Sequence, residues 1–263
     1  MNIIFAIFFF ASGAVIGSFL NVLIFRYNSG FSLGGRSICF SCSKKLCFFE
    51  LIPIFSFIFL RGRCSKCKAK ISWQYLIVEF STALIFLALF FKFGLNFETI
   101  FFQAVSSLLI MIFVYDLKHK IIPDGPVYFL ALISFLKIFF DFGFGAFVFP
   151  ELEKILSGPI LAAPFFLLWL FSRGKWMGLG DAKLMLGLGF LLNISAGLTS
   201  IAIAFWLGTI VSLTAMFAQN FVYKFGLNSS SKKLTIKSEI PLAPFLIIGF
   251  YIVFFFGANI FLI

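Results

Sequence analysis

Uncharged apolar runs alternate with short polar segments along the whole chain. A helix that crosses a bilayer needs about 20 apolar residues. Eight segments approach that length: 2–25, 74–91, 98–116, 126–141, 156–172, 181–194, 197–220 and 241–262. The pattern predicts an all-α polytopic membrane protein with about eight transmembrane helices. The fourth and sixth segments are short or interrupted. Gly187, Gly189 and Gly197 suit the sixth to close helix contact. Pro159 and Pro164 predict a bend in the fifth, tolerable where neighbouring helices satisfy the freed carbonyls. Residues 3–25 are uncharged, with no basic stretch before them, and are too long for the apolar core of a cleavable signal; a retained helix is expected. Segment 48–60 (FFELIPIFSFIFL) is too short to span and carries Glu50 and Pro53, so it reads as an interfacial or re-entrant piece. Three regions follow: a first helix at 1–25, a polar loop at 26–73 containing the 48–60 segment, and a helical core at 74–263.

Composition agrees with the pattern. Of 263 residues, 62% are hydrophobic and 12% charged, more apolar side chain than a soluble domain can hide. The 44 Phe residues read as lipid-facing bulk. A net charge of +11 in a soluble protein would suggest nucleic acid. Here the position of the charge excludes that reading. Loop 26–73 holds nine basic residues, followed by Lys118 and Lys120, then Arg173, Lys175 and Lys183, then Lys224, Lys232, Lys233 and Lys237, and the rest of the chain holds only Lys92, Lys137 and Lys154. All but those last three belong to odd-numbered loops. Cytoplasmic loops carry the excess of Lys and Arg, so the odd loops are expected inside and both termini outside.

The 26–73 loop contains Cys39-x2-Cys42 and Cys64-x2-Cys67. Two such knuckles on one loop have the spacing of a structural zinc site, with four thiolates around one tetrahedral ion and no open position. Arg36, Lys44, Lys45, Arg63, Lys66 and Lys68 favour thiolate over thiol. Disulfides or free thiols are the alternatives, and a reducing cytoplasm disfavours stable disulfides. Cys47 receives no role.

The four aspartates divide by position. Asp116 ends the third predicted span and Asp181 opens the sixth, which puts both at the cytoplasmic face. Ionisable groups at membrane depth are costly and mark function. Two carboxyls at one depth suggest an aspartic dyad that shares a proton, one member acting as base toward water and the other as acid toward a scissile carbonyl. Gly178 and Gly180 would let a substrate backbone approach Asp181. The alternative is that each carboxylate merely occupies a helix end, Asp181 favoured by the helix N-terminus or paired with Lys183. Asp124 reads as a loop or N-cap residue, Asp141 as a solvated helix end, and His119 as a solvated loop residue. No GxSxG nucleophile motif is present.

These residues resemble the bifunctional type IV prepilin peptidases. IGSFLNVLIFR at 16–26, the paired cysteine loop, ISWQYLIVEF at 71–80, DLKHKIIPD at 116–124, GLGDAK at 178–183 and IPLAPFL at 240–246 follow in the family's order. Phe40, Glu50 and Leu179 depart from the family's usual residues without touching a proposed ligand or dyad member. The resemblance implies catalytic Asp116 and Asp181 and a bacterial inner-membrane enzyme with its active site toward the cytoplasm. It implies substrates that are type IV prepilins or type II secretion pseudopilins. A second reaction is also implied, N-methylation of the new N-terminus with S-adenosylmethionine. Glu50 and Glu79 are candidate contacts for the amine or cofactor; the other reading is a helix-end charge or a pairing with nearby Arg or Lys. A substrate helix docking laterally against the bundle is expected to meet Gly187 and Gly189. Two rivals remain. One is a presenilin-like or signal-peptide-peptidase-like protease, which has Tyr-Asp and Gly-x-Gly-Asp but no double-CxxC loop. The other is a proton-coupled transporter, which should show inverted repeats.

Overall fold

The computed structural model describes residues 3–30, 32, 34–141, 152–224 and 241–260. Lys232, Lys233 and Lys237 lie outside these residues, as does the side chain of Asp141. Among the described residues the secondary structure is helical apart from two isolated β-bridges. The α-helices are α1 Ile3–Arg26, α2 Phe55–Phe59, α3 Trp73–Phe93, α4 Phe97–His119, α5 Asp124–Asp141, α6 Leu152–Ser172, α7 Leu179–Leu191, α8 Ile194–Lys224 and α9 Ala243–Phe256, with a 3-10 turn at Phe48–Leu51. All but α2 fall on the predicted segments. Local signals set their ends. Ser72 caps α3 by accepting the Gln74 amide at 3.2 Å, and α9 ends on Gly257 at φ 62°, where a left-handed residue closes the last turn.

Five helices, α1, α3, α4, α6 and α8 through Phe217, are long and apolar enough to cross a bilayer. The α7 helix has 13 residues, about 20 Å at 1.5 Å per residue, against about 30 Å of hydrocarbon. It ends where Asn193 caps the next helix by accepting the Ala196 amide. The 48–60 segment forms only a short 3-10 turn and one helical turn.

The chain divides into two compact units, residues 1–111 and 112–263. In the first, α1 packs on α3 because glycine lets the backbones meet. A Cβ on Gly13 would lie 2.8 Å from Ala83 Cα, and one on Gly17 would lie 2.7 Å from Glu79 Cα. Phe9 stacks on Phe90 beside them, with centroids 4.7 Å apart.

In the second unit α7 is an internal strut. Leu184, Met185 and Leu188 are completely buried. Gly187 faces Leu130 of α5, and a Cβ on Gly189 would lie 2.7 Å from Gly158 Cα of α6. Both positions are therefore filled by the protein's own helices. This corrects the expectation that they receive a docked substrate helix, since helix–helix packing inside the unit has already used the small-residue surface.

Candidate active site

Asp116 and Asp181 come together in the second unit, and both are buried (4% and 8% exposed). Asp116 sits in the last turn of α4, which closes when the Lys120 amide bonds to the Asp116 carbonyl at 2.8 Å, Lys120 taking φ 54°. The chain then turns through Ile122 and Pro123 into α5. Ile122 presses on the start of α7, where a Cβ at Gly180 would meet Ile122 Cβ at 2.8 Å. Glycine at 180 thus lets the loop after Asp116 lie against the turn that carries Asp181. The two carboxyls are within electrostatic reach of each other. The Ala243 backbone N–H at the start of α9 is directed at the Asp116 carboxyl, and Asp116 Oδ2 is buried and unpaired. The late Pro-containing motif thereby brings a helix N-terminus, with its partial positive charge, to the aspartate pair. The motif is evident in the sequence, but its use here is not.

Lys183 does not pair with Asp181. Its Nζ donates to Asp124 Oδ1 at 2.7 Å and lies 4.7 Å from the Tyr128 ring centroid. Asp124, the first residue of α5, thus ties α5 to α7. His119 is exposed, with its ring 4.5 Å from that of Tyr115.

In the first unit, Cys39, Cys42, Cys64 and Cys67 form one cluster, every Sγ within 4.8 Å of the others. Cys39 Sγ and Cys67 Sγ are 3.8 Å apart, about the separation of two thiolates on a tetrahedral zinc with 2.3 Å bonds. The two knuckles are built alike. The Cys39 amide bonds to the Lys44 carbonyl and the Cys64 amide to the Ala69 carbonyl, each at 2.9 Å. The Ile38–Lys45 and Arg63–Lys70 bridges close them. The residue after each second cysteine, Ser43 or Lys68, takes positive φ (53° and 59°). All five cysteines are free, and Cys47 is exposed outside the cluster. The donor set and spacing fit zinc.

The Glu50 carboxylate links the knuckles. Its Oε1 accepts from Lys44 Nζ at 2.7 Å and from the Ser65 hydroxyl, and its Oε2 accepts the Cys47 amide at 2.8 Å. The Lys44 ammonium, the Ser65 hydroxyl and the Cys47 amide hold its carboxyl down at about 2. Glu79 is buried on α3, where its Oε2 accepts the Ile54 amide at 2.7 Å and its carboxyl also bonds Ser18. Ile54 stands at φ 64°, ψ −55°, and the Phe55 amide bonds to the Pro53 carbonyl at 2.6 Å. This is a γ-turn of the rare positive-φ kind, unusual for a β-branched residue.

A helical membrane protein with a buried aspartate pair and a four-cysteine module is the class defined by this fold and site. Residues 11–93 match the model of the bacterial peptidase A24 N-terminal domain, and residues 103–213 match the type IV leader peptidase family. The chain is 31% identical to the prepilin leader peptidase/N-methyltransferase of Stutzerimonas stutzeri over 67% of its own length and 69% of that protein. It is 30% identical to the protein of the same name from Myxococcus xanthus, over 82% of this chain and 64% of the relative. It is 26% identical to the one from Vibrio cholerae, over 97% and 98%. No solved structure matches it. The chain belongs to the type IV leader peptidase family.

Proposed function

We propose that this protein cleaves the leader from type IV prepilins or type II secretion pseudopilins at the cytoplasmic face of the bacterial inner membrane. Asp116 and Asp181 act as the dyad, and the released substrate N-terminus is then N-methylated. The observation that carries this reading is the meeting of the two aspartates at buried helix ends, beside the amide of Ala243. Like charges this close share one proton. The ionised carboxylate takes a proton from water as the water oxygen attacks the scissile carbonyl. The protonated carboxyl donates to the carbonyl oxygen. The tetrahedral intermediate then collapses as the leaving amine is protonated.

Cys39, Cys42, Cys64 and Cys67 would hold one zinc as a closed four-thiolate shell, which supplies folding stability and no open coordination position. S-adenosylmethionine would supply the methyl group; that half of the reading rests on the relatives' names. Glu50 has both carboxylate oxygens engaged within the knuckle module, so it fits a structural tie better than a cofactor contact. No step is assigned to Glu79. The matched cysteine module favours this reading over a presenilin-like protease or a transporter, neither of which has one.

The test is incubation of the purified full chain with a prepilin and S-adenosylmethionine, followed by mass spectrometry. The expected products are a released leader and a mature pilin heavier by one methyl group. Asp116→Asn and Asp181→Asn should each abolish cleavage with zinc content unchanged, and Asp141→Asn should leave the rate as it was. Wild-type processing by either of the first two variants would overturn the dyad.

A further inference from the structure

Among the described residues of the first unit, the segment outside the spanning helices exposes an aromatic face. In α2 the Phe57 ring turns inward, against Gly62 and 5.2 Å from the Trp73 ring. Phe55, Ile58 and Phe59, at i, i+3 and i+4, share the opposite face and are exposed, Phe59 to 83%. The adjoining 3-10 turn adds Phe48 and Phe49, exposed to 77% and 78%. The backbone that enters α2 is held in place. Glu79 pins the Ile54 amide at the first turn of α2, and the positive-φ γ-turn at Ile54 directs α2 away from the preceding Pro53. A strained turn fixed by a buried carboxylate, presenting bare phenylalanines, is the reverse of what a water-facing loop needs.

The charge around this face has one sign. Glu50 is the only acidic residue between 26 and 73, and Lys44 neutralises it. Arg61, Arg63, Lys66, Lys68 and Lys70, which follow α2 directly, are all exposed. The module also leaves and re-enters apolar helices within a few residues, at Arg26 and at Trp73, itself two-thirds exposed at the start of α3. Aromatic bulk beside a basic rim at the root of membrane helices is the pattern of a surface seated in the headgroup region. A basic peptide leader is a poor occupant, because the rim repels it.

We infer that the Phe48–Phe59 face inserts into the interfacial layer of the bilayer and that the basic rim selects anionic phospholipid there, so that the cysteine module is seated on the membrane surface. The attraction of Lys and Arg to an anionic leaflet and the burial of aromatic rings act together on one face.

The test uses the full chain in nanodiscs of phosphatidylcholine alone or mixed with phosphatidylglycerol. In separate variants p-benzoylphenylalanine replaces Phe48, Phe59 or the inward-facing Phe57, and zinc content verifies folding. Illumination should give phospholipid adducts at 48 and 59, several-fold above those at 57. The adducts should rise several-fold when phosphatidylglycerol is present. The triple change Arg61→Gln, Lys68→Gln, Lys70→Gln should remove the dependence on anionic lipid while zinc stays bound. Adducts at 59 no more frequent than at 57 would overturn the inference, as would equal yields in both lipids. So would adducts formed with added prepilin or with a second copy of the chain in place of lipid.

Discussion

At the scale of single residues, the conduct of Lys183 bears most on the chemistry. It lies two positions after Asp181, and on a helix such residues point about 200° apart. Asp124 and Tyr128 hold it on that other side. Released from Asp124, the long Lys183 side chain is free to fold back around α7 toward the carboxyls, where an ammonium would favour ionisation of both, and the pair would lose the shared proton its proposed chemistry requires. Asp124→Asn should therefore slow cleavage by about tenfold, equivalent to about 1.4 kcal/mol. Adding Lys183→Met in the same chain should restore most of the rate, measured as kcat on a prepilin substrate. A double variant as slow as Asp124→Asn alone would show that the released cation is not the cause. The aspartate pair itself was legible in the sequence, because charged residues stand out in an apolar chain and topology places them at one depth. The partner of Lys183 was not, since it lies 59 residues away and loop geometry decides it. Glu50 was legible as a charge to be paired, but not as the tie between two knuckles.

At the scale of elements, the knuckles are the clearest case of sequence spacing determining structure. Each CxxC bend closes through the same amide–carbonyl bonds, with a positive-φ residue after the second cysteine. Such a conformation costs a non-glycine residue of order 1 kcal/mol, so surrounding contacts must hold Ser43 and Lys68 in place. A single zinc offsets that cost by fixing four side chains at once. Elemental analysis should find one zinc per chain, and Cys42→Ser or Cys64→Ser should lose it. Amide exchange should then accelerate at least a hundredfold across 36–70, while α1 and α3, joined by glycine-mediated packing, keep their protection. Zinc absent from freshly prepared protein would end this account, as would unchanged exchange in the variants. The helices were legible to within a few residues. The sequence already marked α7 as short and suited to close contact; what periodicity did not reveal was that its glycines meet α5 and α6 inside the unit. An apolar run reads the same whether it faces lipid or its own neighbours, and only the close approaches at Gly187 and Gly189 distinguish the two.

At the scale of the whole molecule, charge is strongly segregated. By the eight-segment reading of the sequence, eighteen of the 21 Lys and Arg residues fall in or beside the four odd-numbered loops, the side expected to face the cytoplasm. A prepilin of the kind the family resemblance implies presents a short basic leader on that same side, ahead of a long apolar helix. The long-range field between enzyme and leader is then repulsive. Recognition must come from short-range terms, and Gly187 and Gly189 are not available for them because α5 and α6 already occupy those surfaces. Exposed ions beyond about 8 Å are screened at physiological salt, so added salt removes repulsion and costs the complex nothing at long range. The affinity of prepilin for the Asp181→Asn enzyme in uncharged detergent, measured from low to high ionic strength, should hold constant or rise by a few-fold. Measurement in uncharged detergent matters, because anionic lipid would itself neutralise the basic rim and mask the effect. A steep fall in affinity with salt would contradict the expectation. It would mean that an acidic group on the enzyme receives the leader. Glu50 would then have to leave Lys44 and Ser65 to do so, and Glu50→Gln would abolish the salt dependence.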